Sequence, residues 1–131
     1  MSKDGILVVG HGSRLAYSSE VVSFMTERLA ERFDPSPVLP GFMNIDRPSI
    51  DESMSDLVVR GAETIYVVPA FLAHGVHTTQ DITRKVGLGE GEREGTVQVN
   101  GTRVDLKYCD PIGCDRRVAD ILEDRILARM Q

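Results

Sequence analysis

An α/β fold built on a parallel four-stranded sheet is what this 131-residue sequence predicts. Two observations carry the prediction. Four short apolar runs rich in β-branched residues, at 4–10, 38–43, 62–69 and 104–108, have the length and character of strands buried in a sheet. Segments with apolar residues at helical spacing separate and follow them, in the order β-α-β-α-β-α-(arm)-β-α. Strands alternating with helices at this spacing form parallel sheets with helices on both faces.

The first strand, residues 4–10, is continuously apolar and so predicted to be central. Gly10-His-Gly-Ser-Arg14 then turns the chain, with glycines on both sides of His11 allowing a sharp bend and close approach to a ligand. From Tyr17 to Phe33, Val21, Val22, Met25, Leu29 and Phe33 recur at helical spacing and predict one buried face, with Ser18 and Ser19 as caps. Asp34-Pro-Ser-Pro37 ends that helix, and Val38 to Met43 forms a shorter strand. Pro48 and the Ser49/Glu52 capping-box spacing start a second helix, whose buried face is Ile50, Met54, Leu57 and Val58 and whose terminator is Gly61.

Ala62-Glu-Thr-Ile-Tyr-Val-Val-Pro69 is the third strand. Thr78 to Lys85 has the hydroxyl residues that open a helix, which ends near Val86. Residues 87–103 carry five glycines and five charged residues and are expected to be an exposed excursion. Within them Val97-Gln-Val-Asn-Gly-Thr-Arg-Val104 alternates around Asn100-Gly101, the signal of a β-hairpin arm. The fourth strand follows, Asp110-Pro-Ile-Gly113 turns the chain, and a last helix runs from about Asp115 to Met130. Val118, Ile121, Leu122 and Ile126 are expected to dock it on its own sheet, while Leu127 and Met130 widen the stripe toward a partner chain.

The length suits one domain over residues 1–131 with a real core. The apolar runs are too short to span a bilayer, and the polar Asp4 so close to Met1 leaves no leader pattern, so a cytoplasmic location is expected. The formal net charge of −5 argues against non-specific nucleic-acid binding, which needs a basic footprint. An anionic small substrate would need local positive charge, for which Arg14, Arg47, Arg84 and Lys85 are candidates. Cys109 and Cys114 read as free thiols, because no other cysteine exists to complete a zinc site.

The chain has three histidines, and all follow strands. His11 closes the first; His74 and His77 lie in the loop that leaves the third, where ligands bind in open α/β sheets. A neutral imidazole can bind a divalent metal or accept a proton. One of His74 and His77 is expected to pair with His11, and Asp81 is placed to orient the His77 ring. Two imidazoles under-coordinate a structural zinc, which takes four closed ligands, so such a site holds metal loosely and leaves positions open. A histidine phosphatase, suggested by strand-His-Gly-x-Arg, would need an arginine just before the histidine; Gly10 stands there. A nickel or cobalt metallochaperone would share every ligand.

Gly10-His-Gly-Ser-Arg14, Pro48-Ser-Ile50, Pro69-Ala-Phe-Leu-Ala-His-Gly-Val-His-Thr-Thr-Gln-Asp-Ile82 and Asp110-Pro-Ile-Gly113 together resemble the small archaeal CbiX-type chelatases, in the right order over nearly the whole chain. The resemblance implies a chelatase-like (flavodoxin-like) half-domain that inserts Ni²⁺ or Co²⁺ into sirohydrochlorin, with the metal as substrate, no tightly bound cofactor and a homodimeric state. It implies His11 as metal ligand and proton acceptor, His77 as second ligand, and Leu72, Ala73, His74, Gly75 and Val76 as lining of the tetrapyrrole pocket. Arg47 stands at a further substrate-contacting position where relatives often carry an acid, as they do in the strand-end loop that here holds Asn44. Some relatives carry a histidine-rich tract where this chain has residues 87–103.

Overall fold

The computed structural model describes residues 3–13, 16–73 and 75–130, with the side chains of residues 17, 18 and 76–78 outside that description. The elements run β1 (Asp4–Gly10), α1 (Ala16–Phe33), β2 (Val38–Phe42), α2 (Ile50–Val59), β3 (Thr64–Pro69), α3 (Val76–Val86), β4 (Glu94–Val99), β5 (Thr102–Tyr108) and α4 (Arg116–Met130). They build one sheet in the order β2-β1-β3-β5-β4. β1 pairs in parallel with both β2 and β3, and β3 with β5.

The sheet has five strands where four were expected. β4 pairs antiparallel with β5 from Glu94↔Lys107 to Val99↔Thr102. The predicted arm is therefore laid into the sheet as its edge, and its second strand continues without a break into the last parallel strand. Asn100 and Gly101, at φ 52° and 80°, make the tight turn that a two-residue hairpin requires. Val97 and Val99 pack their side chains against the main core, which ties the arm down.

Two cores lie on opposite faces. α2 and α3 cover one, packing Ile50, Met54, Leu57, Ile82 and Val86 on Leu7, Val9, Ile65, Val67, Val104 and Leu106. α1 alone covers part of the other, setting Val22, Met25 and Leu29 on Ile6, Val8, Val38, Tyr66 and Val68. The Ser49–Glu52 capping box forms as expected, and Gly87, at φ 98°, ends α3.

Three expectations fail locally. α1 begins at Ala16, so Ser19 sits inside it and donates its hydroxyl to the Ala16 carbonyl instead of capping. Val21 and Phe33, assigned to the buried face of α1, are exposed, although Val22, Met25 and Leu29 beside them pack on the sheet. The largest departure is α4. None of its residues is buried, and it does not dock on its own sheet. The link before it is pinned elsewhere: the Ile112 and Gly113 amides donate to the Phe71 and Leu72 carbonyls. Asp115 then caps the helix by accepting from the Arg117 amide, which sets the direction in which α4 leaves. Among the described residues no helix is long and apolar enough to cross a membrane.

Candidate functional site

The loop after β1 and the loop after β3 lie side by side because their strands are neighbours in register, with Val9 opposite Pro69. The chain leaves β1 toward β2 on one side and returns past it to β3 on the other. The crevice between β1 and β3 is thus the point where strand order reverses, the common ligand position in open α/β sheets.

His11 occupies that crevice. Its Nδ1 lies 3.1 Å from the Gly12 carbonyl oxygen, which can only accept, so the contact is a hydrogen bond in the tautomer protonated at Nδ1. In the neutral ring this leaves the Nε2 lone pair available to a metal or a proton. The Phe71 ring stands edge-on to the imidazole, 6.3 Å between centroids at 88°.

The backbone around His11 is held from two sides. The loop after β2 donates the Met43 amide to the Gly10 carbonyl and the Asn44 amide to the His11 carbonyl. From the same loop, the Asp46 carboxylate accepts from the Ser13 amide at 2.9 Å. Glycine is required here: at Gly12, with φ 89°, an added Cβ would fall 1.8 Å from the Asn44 carbonyl oxygen. At Gly10 it would fall 2.8 Å from the Phe42 ring. The glycine bracket thus seats His11 against neighbouring chain that no side chain could share.

A pocket of about 590 Å³ opens above this floor. Val21, Val22 and Met25 of α1 form one wall and Ala70 and Phe71 the other, with His11, Gly12 and Ser13 below. That size lies within the range of small-molecule sites. Its walls are mostly apolar side chains, and one imidazole stands at its base, able to meet a metal ion or a proton.

Leu72 and Ala73 are exposed beyond Phe71, and Gly75 is the N-cap position of α3. His77 is the second residue of α3, but its side chain and that of Val76 lie outside the described residues, as do His74 and Arg14. Asp81 faces Arg84 at 3.7 Å. Arg47 is 78% exposed and ion-paired with Glu52 at 2.5 Å. Hydrogen bonds from Arg47 and the Ser49 backbone hold the Glu52 carboxyl at about 2, and the same pairing raises the Arg47 guanidinium. Arg47 therefore carries a partner already, which any anionic ligand would have to share or displace. The two cysteines are free, Cys109 partly buried and Cys114 exposed.

Phe71, Asp46 and the α1 wall were not identified from the sequence. Phe71 stands next to the expected Leu72–His77 segment, so the apolar run already contained it. Asp46 carried no local signal, because its partner Ser13 lies 33 residues away.

The CbiX family model matches residues 5–129. The sirohydrochlorin cobaltochelatase of Methanothermobacter thermautotrophicus is 42% identical over 131 residues, covering 95% of this chain and 91% of that protein. The sirohydrochlorin cobaltochelatase of Methanosarcina barkeri is 39% identical, with 95% of each chain covered. Among solved structures, SirB from Bacillus subtilis with Fe³⁺ superposes with a TM-score of 0.75 at 26% identity. The match takes in 95% of this chain but 46% of SirB, so this chain spans about half of that protein.

Proposed function

The chain belongs to the CbiX family, and from that membership we propose that it is a sirohydrochlorin metallochelatase, inserting Co²⁺ or Ni²⁺ into the tetrapyrrole with release of two protons. The observation that carries this reading is the His11 ring, with Nδ1 on the Gly12 carbonyl oxygen, at the base of the pocket between α1 and Phe71. Both relatives are sirohydrochlorin cobaltochelatases, which supports sirohydrochlorin as substrate and favours cobalt. Nickel is the finer assignment, and it rests on the higher intrinsic affinity of nitrogen ligands for Ni²⁺ than for Co²⁺.

In this reading the substrate ion arrives with water and is held by His11 and His77. The ring nitrogens replace water and imidazole as the ion descends. The two pyrrole N–H protons leave, one taken by His11 as its bond to the metal breaks, the other passing to solvent. Loose binding by imidazoles is an advantage, because a closed four-ligand cage would retain the ion. Phe71, Leu72, Ala73, His74, Gly75 and Val76 form the macrocycle-binding segment, opposite Val21 and Met25. The protein acts in the cytoplasm as a homodimer, with no tightly bound cofactor.

Anaerobic incubation with sirohydrochlorin and Co²⁺ or Ni²⁺, followed by absorption, tests the activity. Multiple turnovers per chain are expected with at least one ion. Stoichiometric metal binding without turnover would instead identify a metallochaperone. A second measurement addresses Arg47. If it holds a substrate carboxylate by ordinary binding, Arg47→Glu should raise KM about tenfold, roughly 1.4 kcal/mol, with kcat little changed. An unchanged KM would remove Arg47 from the site and leave it as the partner of Glu52.

A further inference from the structure

The loop after β2 holds a backbone conformation that its sequence does not favour. Ile45 has φ 60°. That region suits glycine and tolerates asparagine, and a β-branched residue there is a genuine outlier. The Asp46 amide donates to the Asn44 carbonyl at 2.6 Å, closing a three-residue turn with Ile45 at its apex. Such turns with a positive φ at the apex are the rare, strained form. Packing does not account for the residue. Ile45 is 65% exposed and belongs to neither core. Asn44, one position earlier, is of a type that would occupy the apex with less strain.

We propose that Ile45 is a substrate-binding residue, its aliphatic side chain held beside the His11 pocket to lie on the face of the tetrapyrrole. The proposal rests on the sirohydrochlorin reading above and adds to it a contact from the loop after β2. Three observations carry it. The first is placement, because both flanks of Ile45 are bonded to the His11 turn. The Asn44 amide donates to the His11 carbonyl, and the Asp46 carboxylate accepts from the Ser13 amide at 2.9 Å. The second is the company Ile45 keeps. Val21 of the α1 wall and Leu72, next to Phe71, are 57% and 66% exposed. Each of the three segments that surround His11 thus brings one large apolar side chain to the surface, and apolar exposure gathered around a pocket marks a binding surface. The third is charge. Arg47, two residues on, carries an exposed guanidinium paired with Glu52. An aliphatic group beside a cation matches a ring whose faces are apolar and whose rim carries carboxylates.

Strained conformations persist where their surroundings over-determine them, and they cluster at ligand clamps. Here the two bonds to the His11 turn fix the apex before substrate arrives, so less ordering is left for the binding step. An asparagine at position 45 would relax the turn and lose the apolar contact. One substitution should therefore stabilise the fold and weaken substrate binding, opposite signs that a purely structural residue does not produce.

Wild type, Ile45→Asn and Ile45→Leu are compared by thermal unfolding, by titration with Co²⁺, by sirohydrochlorin binding followed through its absorption, and by insertion kinetics at saturating metal. For Ile45→Asn the unfolding midpoint should rise. Its Kd and KM for sirohydrochlorin should rise about tenfold, as expected for the loss of one buried aliphatic side chain. Its kcat and Co²⁺ affinity should not change, since the contact is far from the reacting nitrogens and acts equally before and during insertion. Ile45→Leu keeps the carbon count and should bind the ring as wild type does. A lower midpoint for Ile45→Asn would mean that packing holds the apex, and would overturn the proposal. An unchanged KM would overturn it too, as would an Ile45→Leu protein as impaired as Ile45→Asn. A fall in kcat and Co²⁺ affinity alongside KM would make Ile45 a support of His11 instead of a substrate contact. Wild-type protein that binds sirohydrochlorin without turnover would overturn the chelatase reading alone, with a tenfold weaker Kd in Ile45→Asn still upholding the contact. Wild-type protein that does not bind sirohydrochlorin would overturn both.

Discussion

His11→Ala is expected to reduce metal insertion into sirohydrochlorin by at least about 10²–10⁴-fold, the range a positioned general base contributes. The true loss should lie at or beyond the upper end, because the same ring is proposed to hold the ion before transfer. Stability should change by no more than about 0.5 kcal/mol, since the side chain is exposed and its Nδ1–H bond reaches only the adjacent carbonyl. His11→Gln is the sharper variant. It keeps a polar group of similar reach but lacks a basic nitrogen, so it should fail as alanine does. Isothermal titration with Co²⁺ and Ni²⁺ should show weakened binding in parallel. A His11→Gln protein retaining more than about a tenth of wild-type turnover would separate His11 from proton transfer. His77→Ala should match the loss in metal affinity if both imidazoles hold the ion.

The part of this arrangement legible in the sequence is the part that local chemistry dictates. The apolar runs of β1 and β3 are short, rich in β-branched residues and bounded by glycine or proline, which marks buried strands, and the glycines flanking His11 mark a backbone needing room. The Ser49/Glu52 spacing and the Asn100-Gly101 pair each specify a local geometry that the structure adopts. What escaped depends on which surface meets which. Periodicity marks Val21 and Phe33 as belonging to the apolar side of α1, but the width of sheet beneath the helix decides whether they are covered. The arm's sequence specifies a hairpin without saying that it joins the sheet edge; Val97 and Val99 against the core decide that. The stripe on α4 marks an apolar face, but nothing along the chain says that none of its residues is buried against the sheet. Asp46 and Phe71 reach the His11 loop only through the β2-β1-β3 adjacency, which no spacing along the chain encodes.

Gly12→Ala should cost activity and stability together, and the two effects have separable causes. At φ 89° an L-residue carries backbone strain of about 1–3 kcal/mol. The added methyl would also sit 1.8 Å from the Asn44 carbonyl oxygen, a separation no contact tolerates. The clash is with backbone, so the β2 loop must move. That motion would break the Asn44 amide bond to the His11 carbonyl and draw Asp46 from the Ser13 amide. A misplacement near 1 Å at a reacting group can cost about 10²-fold, and a fall of that order in insertion rate is expected. Gly101→Ala supplies the comparison. Gly101 has a similar φ of 80° but nothing within 4 Å of an added Cβ, and it lies in the β4–β5 turn, away from His11. It should lower stability by the strain alone, about 1–3 kcal/mol, and leave turnover of the folded protein unchanged. Thermal unfolding and single-turnover insertion, measured on both variants, distinguish the two contributions. Equal activity in the two proteins would mean that the Asn44–Asp46 clamp does not position His11.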